Sequence, residues 1–140
     1  MSGPLLIDTC ALLWIAAFAE GDHLGPVETA LNEARDSGAS VYVSPMSAWE
    51  VGMLAAKGRL PMPMPPRAWL DRVLSRSGLA WADMPVEVLL ASSNLPGEPH
   101  GDPADRIIIA TAREYGLRLV TRDRKILDYA AKGHVMALAC

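Results

Sequence analysis

Short, mostly apolar runs alternate along the chain with longer segments in which apolar residues recur at helical spacing. The short runs predict strands at 4–7, 40–43 and 117–121, with weaker strand signals at 79–81 and 133–138. The longer segments predict helices at 11–17, 26–35, 45–57, 67–77, 85–92, 103–114 and 124–131, with a break at 21–23. This alternation indicates an α/β fold with a largely parallel sheet.

Proline and glycine mark where several of these helices begin and end. Ser44-Pro45 and Asp102-Pro103 each combine an N-capping side chain with a proline suited to the first helical position. Gly58 and Gly116 are expected to end the same two helices. The segment 60–66 contains four prolines, which remove backbone donors, so we predict a rigid, extended connector too short to divide two domains.

Length and composition are those of one compact domain. The chain has 140 residues, of which 51% are hydrophobic and 21% charged, so we expect a single domain spanning 1–140. The apolar opening at 4–18 is short and is interrupted by Asp8, so we predict no membrane span, no secretion signal and a cytoplasmic location. Cys10 and Cys140 lack the spacing of a disulfide framework and are predicted to be reduced thiols, with Cys10 buried.

Charge is unevenly distributed along the chain. The formal net charge is −3, which neither favours nor excludes a nucleic-acid partner. Seven of the thirteen basic residues nevertheless fall within 106–132, where only three acids accompany them. Such a cluster is either solvated surface or a local basic contact, and the composition leaves both interpretations open.

Two acids stand at the start of the helix predicted at 103–114. Asp102 is explained by N-capping. Asp105 occupies the position of a capping-box acid, yet Ile108, Ile109 and Ala112 follow it on the same helical face. An acid that continues a buried apolar face is costly unless a cation or a hydrogen-bond donor meets it. Asp105 is therefore a candidate site residue.

A similar argument applies to Glu50, in the helix predicted at 45–57. Helical spacing places it on one face with Met46, Met53 and Leu54. We therefore predict that Glu50 lies within an apolar stripe and does not form a surface ion pair.

The remaining acids follow strands. Asp8 comes directly after the first predicted strand, and Asp123 lies just past the strand at 117–121. Each is either a helix cap or an acid at the edge where open α/β sheets bind ligands. Together with Glu50 and Asp105 they would place four carboxylates at one edge, where their repulsion requires a counter-charge. Mg²⁺ or Mn²⁺ prefers such oxygen ligands and supports phosphodiester cleavage, so we predict a divalent-cation site.

The chain resembles PIN-domain ribonucleases, in particular the VapC type of toxin from bacterial toxin–antitoxin pairs. The resemblance covers essentially the whole chain and is carried by four motifs in order: Asp8-Thr9, Ser47-Ala48-Trp49-Glu50-Val51 with Lys57-Gly58-Arg59-Leu60, Asp102-Pro103-Ala104-Asp105-Arg106, and Thr121-Arg122-Asp123. It implies a PIN-like three-layer α/β/α sandwich with a central, mostly parallel sheet. It also implies a Mg²⁺- or Mn²⁺-dependent endoribonuclease that hydrolyses structured or single-stranded RNA, such as tRNA or rRNA loops. The implied partners are a cognate VapB-like antitoxin, which inhibits the enzyme, and a second copy in a homodimer.

The resemblance also implies roles for individual residues. The catalytic and metal-binding acids would be Asp8, Glu50, Asp105 and Asp123, with Asp8 and Asp105 as the chief ligands and Asp102 as the alternative to Asp105. Hydrogen bonds to these ligands are expected from Thr9, Ser47 and Thr121. Phosphate contacts to RNA are expected from Arg122, Arg124 and Lys125. His100, in the loop before 103–114, is interpreted as a hydrogen-bonding spacer and is given no catalytic role.

Three alternatives remain open at this stage. The first is a PIN nuclease that matures RNA and is not a toxin. The second is a phosphoacceptor receiver domain, which requires adjacent acids near the first strand, whereas Leu6 and Ile7 precede Asp8. The third is a non-catalytic α/β interaction module in which the acids serve only as helix caps.

Overall fold

The computed structural model of the protein describes residues 3–17 and 25–140. The break predicted at 21–23 lies outside these residues. In chain order the described elements are β1 (Leu5–Ile7), α1 (Thr9–Ala17), α2 (Pro26–Ser37), β2 (Val41–Val43), α3 (Pro45–Ala56), α4 (Pro66–Ser77), β3 (Ala80–Trp81), α5 (Val86–Ser93), α6 (Pro103–Tyr115), β4 (Arg118–Thr121), α7 (Arg124–Ala131) and β5 (Ala137–Ala139). No helix in these two ranges is long and apolar enough to cross a membrane.

Helix ends follow the capping residues that the sequence provides. The Ser44 side chain accepts a hydrogen bond from the Met46 amide at 3.1 Å, and Pro45 occupies the first turn of α3. At the other end, Lys57 caps α3 and Gly58 follows with a φ of 70°, so the helix stops just before the predicted glycine. Gly116 closes α6 in the left-handed conformation, as predicted.

The five strands form one sheet in the order β3-β2-β1-β4-β5, and every strand pairing is parallel. In the centre, Leu5 is in register with Val41 of β2 on one side and with Arg118 of β4 on the other. The weak strand signal at 79–81 is confirmed as the edge strand β3. The predicted α/β class and the parallel sheet are confirmed.

Helices cover both faces of the sheet. Because successive strand residues point to opposite sides, the residues of β1 contribute to two separate cores. Leu5 and Ile7 of β1 pack into a core with α1, α2, α3 and α4. Leu6, between them, packs into a second core with α5, α6 and α7. The two cores and the sheet make the expected three-layer α/β/α sandwich.

The chain reverses its direction of travel across the sheet between β1 and β4. From β1 it proceeds outward through β2 and β3, and then returns to place β4 on the other side of β1. Parallel α/β sheets bind ligands at the carboxyl edge beside such a switch point. A cavity of about 820 Å³ lies elsewhere: Leu117, Arg118 and Met136 line it near the amino ends of β4 and β5.

One prediction about burial is wrong. Cys10 is exposed and not buried, because it occupies the second position of α1 and points away from the face that packs on the sheet. That face consists of Thr9, Ala11, Leu12 and Ile15. Both cysteines are free thiols, as expected.

Candidate metal centre

Asp8 is a buried carboxylate at the carboxyl end of β1. Its Oδ1 accepts the Ala11 amide at 2.8 Å, so the residue caps α1, and its Oδ2 accepts the hydroxyl of Thr121 from β4. The two interpretations offered by the sequence are therefore compatible, because one carboxylate both caps a helix and faces the switch point. The two hydrogen bonds fix the direction of the carboxylate.

Thr121 also orients the acid that follows β4. Its Oγ1 accepts the backbone N–H of Asp123 at 3.0 Å, and Asp123 in turn caps α7 by accepting the Ile126 amide at 3.1 Å. One threonine hydroxyl therefore contacts Asp8 and Asp123 together. Since β1 and β4 are neighbouring strands, the parallel sheet brings these two acids side by side despite their separation in sequence.

The two acids at the start of α6 have different surroundings. Asp102 is exposed, and its Oδ1 accepts the Asp105 amide at 3.0 Å as an N-cap. In a complete capping box, the backbone amide of Asp102 would donate a hydrogen bond to the Asp105 carboxylate. That amide instead donates to Nδ1 of His100 at 3.0 Å. The capping box is half formed, and the Asp105 carboxylate turns toward Asp123.

His100 connects Asp105 to Asp123. Its Nε2 lies 3.2 Å from Oδ2 of Asp105 and 3.1 Å from Oδ2 of Asp123. The loop that carries it is held by Arg106, which donates to the carbonyl of Ser92 at 2.9 Å and to that of His100 at 3.4 Å. The ligand atoms of His100, Asp105 and Asp123 all lie within 4.8 Å of one another.

Glu50 enters the site from α3. Its Oε1 accepts the hydroxyl of Thr9 at 2.6 Å, and the Thr9 and Ser47 hydroxyls are hydrogen-bonded at 2.8 Å. Thr9 and Ser47 are buried, so they fix the half-buried Glu50 at the rim of the site.

The apolar residues predicted to share a helical face with Glu50 are not the ones that α3 buries. Ser47 and Val51 are the buried residues of α3, whereas Met53 is 38% exposed and Met46 and Leu54 are only partly buried. The helix is apolar on more than one side, so its spacing alone does not identify the face that packs on the sheet.

Burial and mutual repulsion act on the acids in different ways. Burial is the main cause that raises the pKa of Asp8 to about 6, and the charges of Asp123 and Glu50 add to the rise. Hydrogen bonds from Thr121 and Ala11 act in the opposite direction and lower the pKa. Burial likewise raises the pKa of Asp105 to about 6; the nearby His100 opposes this rise, whereas Asp102, Glu50 and Asp123 add to it.

Asp123 shows the opposite net shift. Burial raises its pKa, but hydrogen bonds from the Ile126 amide and His100 outweigh this effect and hold the pKa below its ordinary value. Asp8, Asp105 and Asp123 therefore share one electrostatic environment, in which Asp8 and Asp105 retain protons more readily than Asp123. Carboxyls with perturbed pKa values in a shared cluster are typical of functional sites.

The donor set fits a hard divalent cation. Carboxylate oxygens from Asp105 and Asp123 converge with the His100 ring. The buried carboxylate of Asp8 lies outside this convergent group but at the same carboxyl edge of the sheet, where the charge of Asp123 raises its pKa. Oxygen ligands of this kind suit Mg²⁺ or Mn²⁺ better than softer ions. Asp102 does not belong to the convergent group: it is exposed, and its Oδ1 faces the Asp105 amide.

The predicted basic contacts lie around the same edge. Arg122, Arg124 and Lys125 are all exposed. The Arg122 guanidinium stacks over the Trp14 ring at 4.9 Å, which restricts its reach. Lys125 lines a cavity of about 320 Å³ that also includes His100.

The sequence predicts a hydrogen-bonding role for His100 but not its partners, so His100 is absent from the predicted site. A single loop histidine carries no periodic signal, and its position two residues before an N-cap does not reveal what it contacts. The sequence does indicate that a partner is needed: Asp105 continues an apolar face, so its carboxylate requires a hydrogen-bond donor or a cation. His100 is that partner.

Comparisons with known proteins agree with this geometry. The PIN domain family profile matches residues 5–132. The chain is 30% identical over 125 residues to "Ribonuclease VapC22" of Mycobacterium tuberculosis (strain ATCC 25618 / H37Rv), covering 89% of this chain and 91% of that protein.

Two solved structures share the fold. One is "VapBC2 from Rickettsia felis bound to a DNA fragment from their promoter", with a TM-score of 0.68, 14% identity, and coverage of 97% of this chain and 98% of that chain. The other is a "toxin-antitoxin complex from Klebsiella pneumoniae", with a TM-score of 0.61, 20% identity, and coverage of 96% and 95%. The family predicted from the four motifs is confirmed: this chain belongs to the PIN-domain family and is similar to its VapC ribonucleases.

Proposed function

We propose that this protein is a metal-dependent endoribonuclease of the VapC type, which hydrolyses phosphodiester bonds in structured or single-stranded RNA. The observation that carries the proposal is the convergence of Asp105 and Asp123, at the same edge of a PIN-family sheet as the buried Asp8 and next to its switch point. The similarity to a protein named as a ribonuclease supports the same chemistry.

The acids have distinct tasks in this proposal. Asp8, Asp105 and Asp123 hold Mg²⁺ or Mn²⁺, and Glu50 completes the site directly or through water. A bound cation supplies Lewis-acid stabilisation of the phosphate charge and promotes ionisation of the attacking water. Thr121 and Thr9 hold the carboxylates of Asp8 and Glu50 in fixed orientations, which keeps the site organised before RNA arrives.

RNA binding is proposed to use the exposed cations near the acids. Arg124 and Lys125 are exposed in the first turn of α7, directly after Asp123, so their side chains can contact phosphates on either side of the bond to be cleaved. Arg122 is expected to contribute less, because its guanidinium already stacks on Trp14. These cations offset the negative charge that four acids present to an RNA backbone.

The proposed partners are a VapB-like antitoxin and a second copy of the chain. The structural neighbours described as VapBC2 and as a toxin–antitoxin complex support an antitoxin for this protein. We propose that this antitoxin inhibits the nuclease in the cytoplasm and that the protein acts as a homodimer.

Cleavage of total cellular RNA by the purified protein tests this function. We expect discrete fragments with Mg²⁺ or Mn²⁺ and none with EDTA. Asp8→Asn should remove activity, whereas Arg35→Ala, an exposed change at the end of α2, should leave it intact. Persistent cleavage in EDTA, or equal cleavage by Asp8→Asn, would contradict the proposal.

A further inference from the structure

His100 is a nearly buried imidazole inside the acid cluster. It does not belong to the predicted set of four acids. Its side chain is 10% exposed, and both ring nitrogens have partners. Nε2 faces Oδ2 of Asp105 and Oδ2 of Asp123, and Nδ1 faces the backbone amide of Asp102. The ring is therefore held on two sides, and its partners define which nitrogen carries the proton.

The Asp102 amide assigns the tautomer. A backbone amide is always a donor, so Nδ1 must present its lone pair to the Asp102 N–H, at 3.0 Å. In the neutral imidazole the proton then resides on Nε2. That Nε2–H points at two carboxylate oxygens, which only accept hydrogen bonds when ionised. Both ring nitrogens are satisfied by this one tautomer.

The opposite tautomer is disfavoured at both ends of the ring. A proton on Nδ1 would oppose the Asp102 N–H, and a lone pair on Nε2 would face the carboxylates of Asp105 and Asp123. Binding a cation through Nε2 requires this disfavoured arrangement, because a metal takes a lone pair. The imidazole is therefore built to donate from Nε2 and not to ligate a metal.

We infer that His100 is a positioning residue, which holds Asp105 and Asp123 together by donating Nε2–H to both while the Asp102 amide fixes its tautomer. This inference rests on the proposed cation site. In Asp105 the oxygen that does not face His100 can bind the cation. In Asp123, Oδ1 also accepts the Ile126 amide, but each carboxylate oxygen has two lone pairs and can accept a hydrogen bond and bind a cation together. The half-formed capping box is part of this arrangement. The Asp102 amide donates to His100 and not to Asp105, so the Asp105 carboxylate can face Asp123.

The tautomer can be observed directly by ¹⁵N NMR of the imidazole in the full-length protein. We expect Nε2 to be protonated and Nδ1 unprotonated, both without metal and after saturation with diamagnetic Mg²⁺. Loss of the Nε2 proton on Mg²⁺ binding would make His100 a ligand and overturn the inference. A protonated Nδ1 in the neutral ring would overturn it as well.

Two substitutions test the roles of the two ring nitrogens separately. His100→Gln places an amide donor near the position of Nε2, whereas His100→Asn places an acceptor near Nδ1 and is too short to reach the carboxylates. By calorimetric titration with Mn²⁺, we expect His100→Asn to bind about 10-fold more weakly and His100→Gln to recover most of that loss. Equal affinity of His100→Asn and the unmodified protein, or no recovery in a folded His100→Gln, would contradict the inference.

These measurements do not depend on RNA cleavage. If Mn²⁺ binds and the variants behave as expected but RNA is not cleaved, the proposed function fails and the role of His100 stands. If cleavage occurs and the tautomer or the Gln–Asn difference is absent, the inference about His100 fails alone. A protein that binds no Mn²⁺ would overturn both.

Discussion

The hydroxyl of Thr121 donates to Oδ2 of Asp8 and so joins the carboxyl ends of two neighbouring strands. The same Oγ1 accepts the Asp123 amide at 3.0 Å. One buried side chain thereby sets the position of a buried acid and of the start of α7. The relationship makes Thr121 a sensitive position for testing how the acids are held.

We predict that Thr121→Val weakens both metal binding and folding. Valine matches the shape of threonine but cannot donate to the buried Asp8 carboxylate or accept from Asp123, and an unsatisfied buried partner costs about 1–3 kcal/mol. Mn²⁺ affinity should fall about 10-fold, and urea unfolding should show a lower free energy of unfolding. Thr121→Ser, which keeps the hydroxyl, is the matched control. A valine variant that binds Mn²⁺ as tightly as the serine variant would exclude this role for the hydroxyl.

Metal binding should depend on pH through Asp8 and Asp105. Burial raises the pKa of each carboxyl to about 6 in the absence of metal, so protons compete with the cation below that pH. We expect Mn²⁺ affinity to fall steeply as the pH is lowered through about 6 and to level off above about 7. Affinity that is independent of pH across this window would show that these carboxyls do not bind the metal.

The stability of the metal-free protein should decrease as the pH rises, whereas the affinity for Mn²⁺ should increase. Both carboxyls have pKa values near 6 when folded and an ordinary value of 3.8, so the folded state binds more protons between these limits. The free energy of unfolding should therefore decrease as the pH rises from about 4 to about 6. Thermal melts in EDTA measure this effect, and Asp105→Asn should reduce it. A metal-free protein that becomes more stable over this interval would contradict the raised pKa values.

The cations of α7 should govern the salt dependence of RNA binding. Each phosphate neutralised on a single strand contributes about 0.7 to the slope of log affinity against log salt concentration. The double substitution Arg124→Ala and Lys125→Ala should therefore reduce the slope by about 0.7 for each phosphate that these two side chains neutralise. Binding is measured in EDTA on the Asp105→Asn background so that RNA stays intact. Arg35→Ala, remote from the acids, is the control, and an equal change there would indicate a non-specific effect of charge.

Much of the fold and of the site is predictable from the sequence, because both depend on local patterns. The cap-plus-proline starts at Ser44-Pro45 and Asp102-Pro103 set the beginnings of α3 and α6, and the structure confirms both. The apolar strands identify the parallel sheet, whose geometry brings Asp8 and Asp123 to one edge. The family resemblance rests on four ordered motifs, and the family match confirms it.

What the sequence does not reveal depends on packing between distant segments. Burial is the usual environment of a free cysteine, but Cys10 is exposed because packing on the sheet decides which face of α1 is covered. The buried face of α3 is not evident from the sequence for the same reason, since this helix is apolar on several sides. The role of His100 depends on the loop path that Arg106 fixes.

The most direct test compares RNA cleavage by Asp105→Asn and Asp102→Asn at saturating Mg²⁺. The two acids are three residues apart in one motif, yet only Asp105 joins His100 and Asp123, while Asp102 caps α6. Because asparagine also caps helices well, we expect Asp102→Asn to stay within a few-fold of the unmodified protein and Asp105→Asn to lose at least about 100-fold. Full activity in Asp105→Asn, or loss confined to Asp102→Asn, would contradict the account of this site.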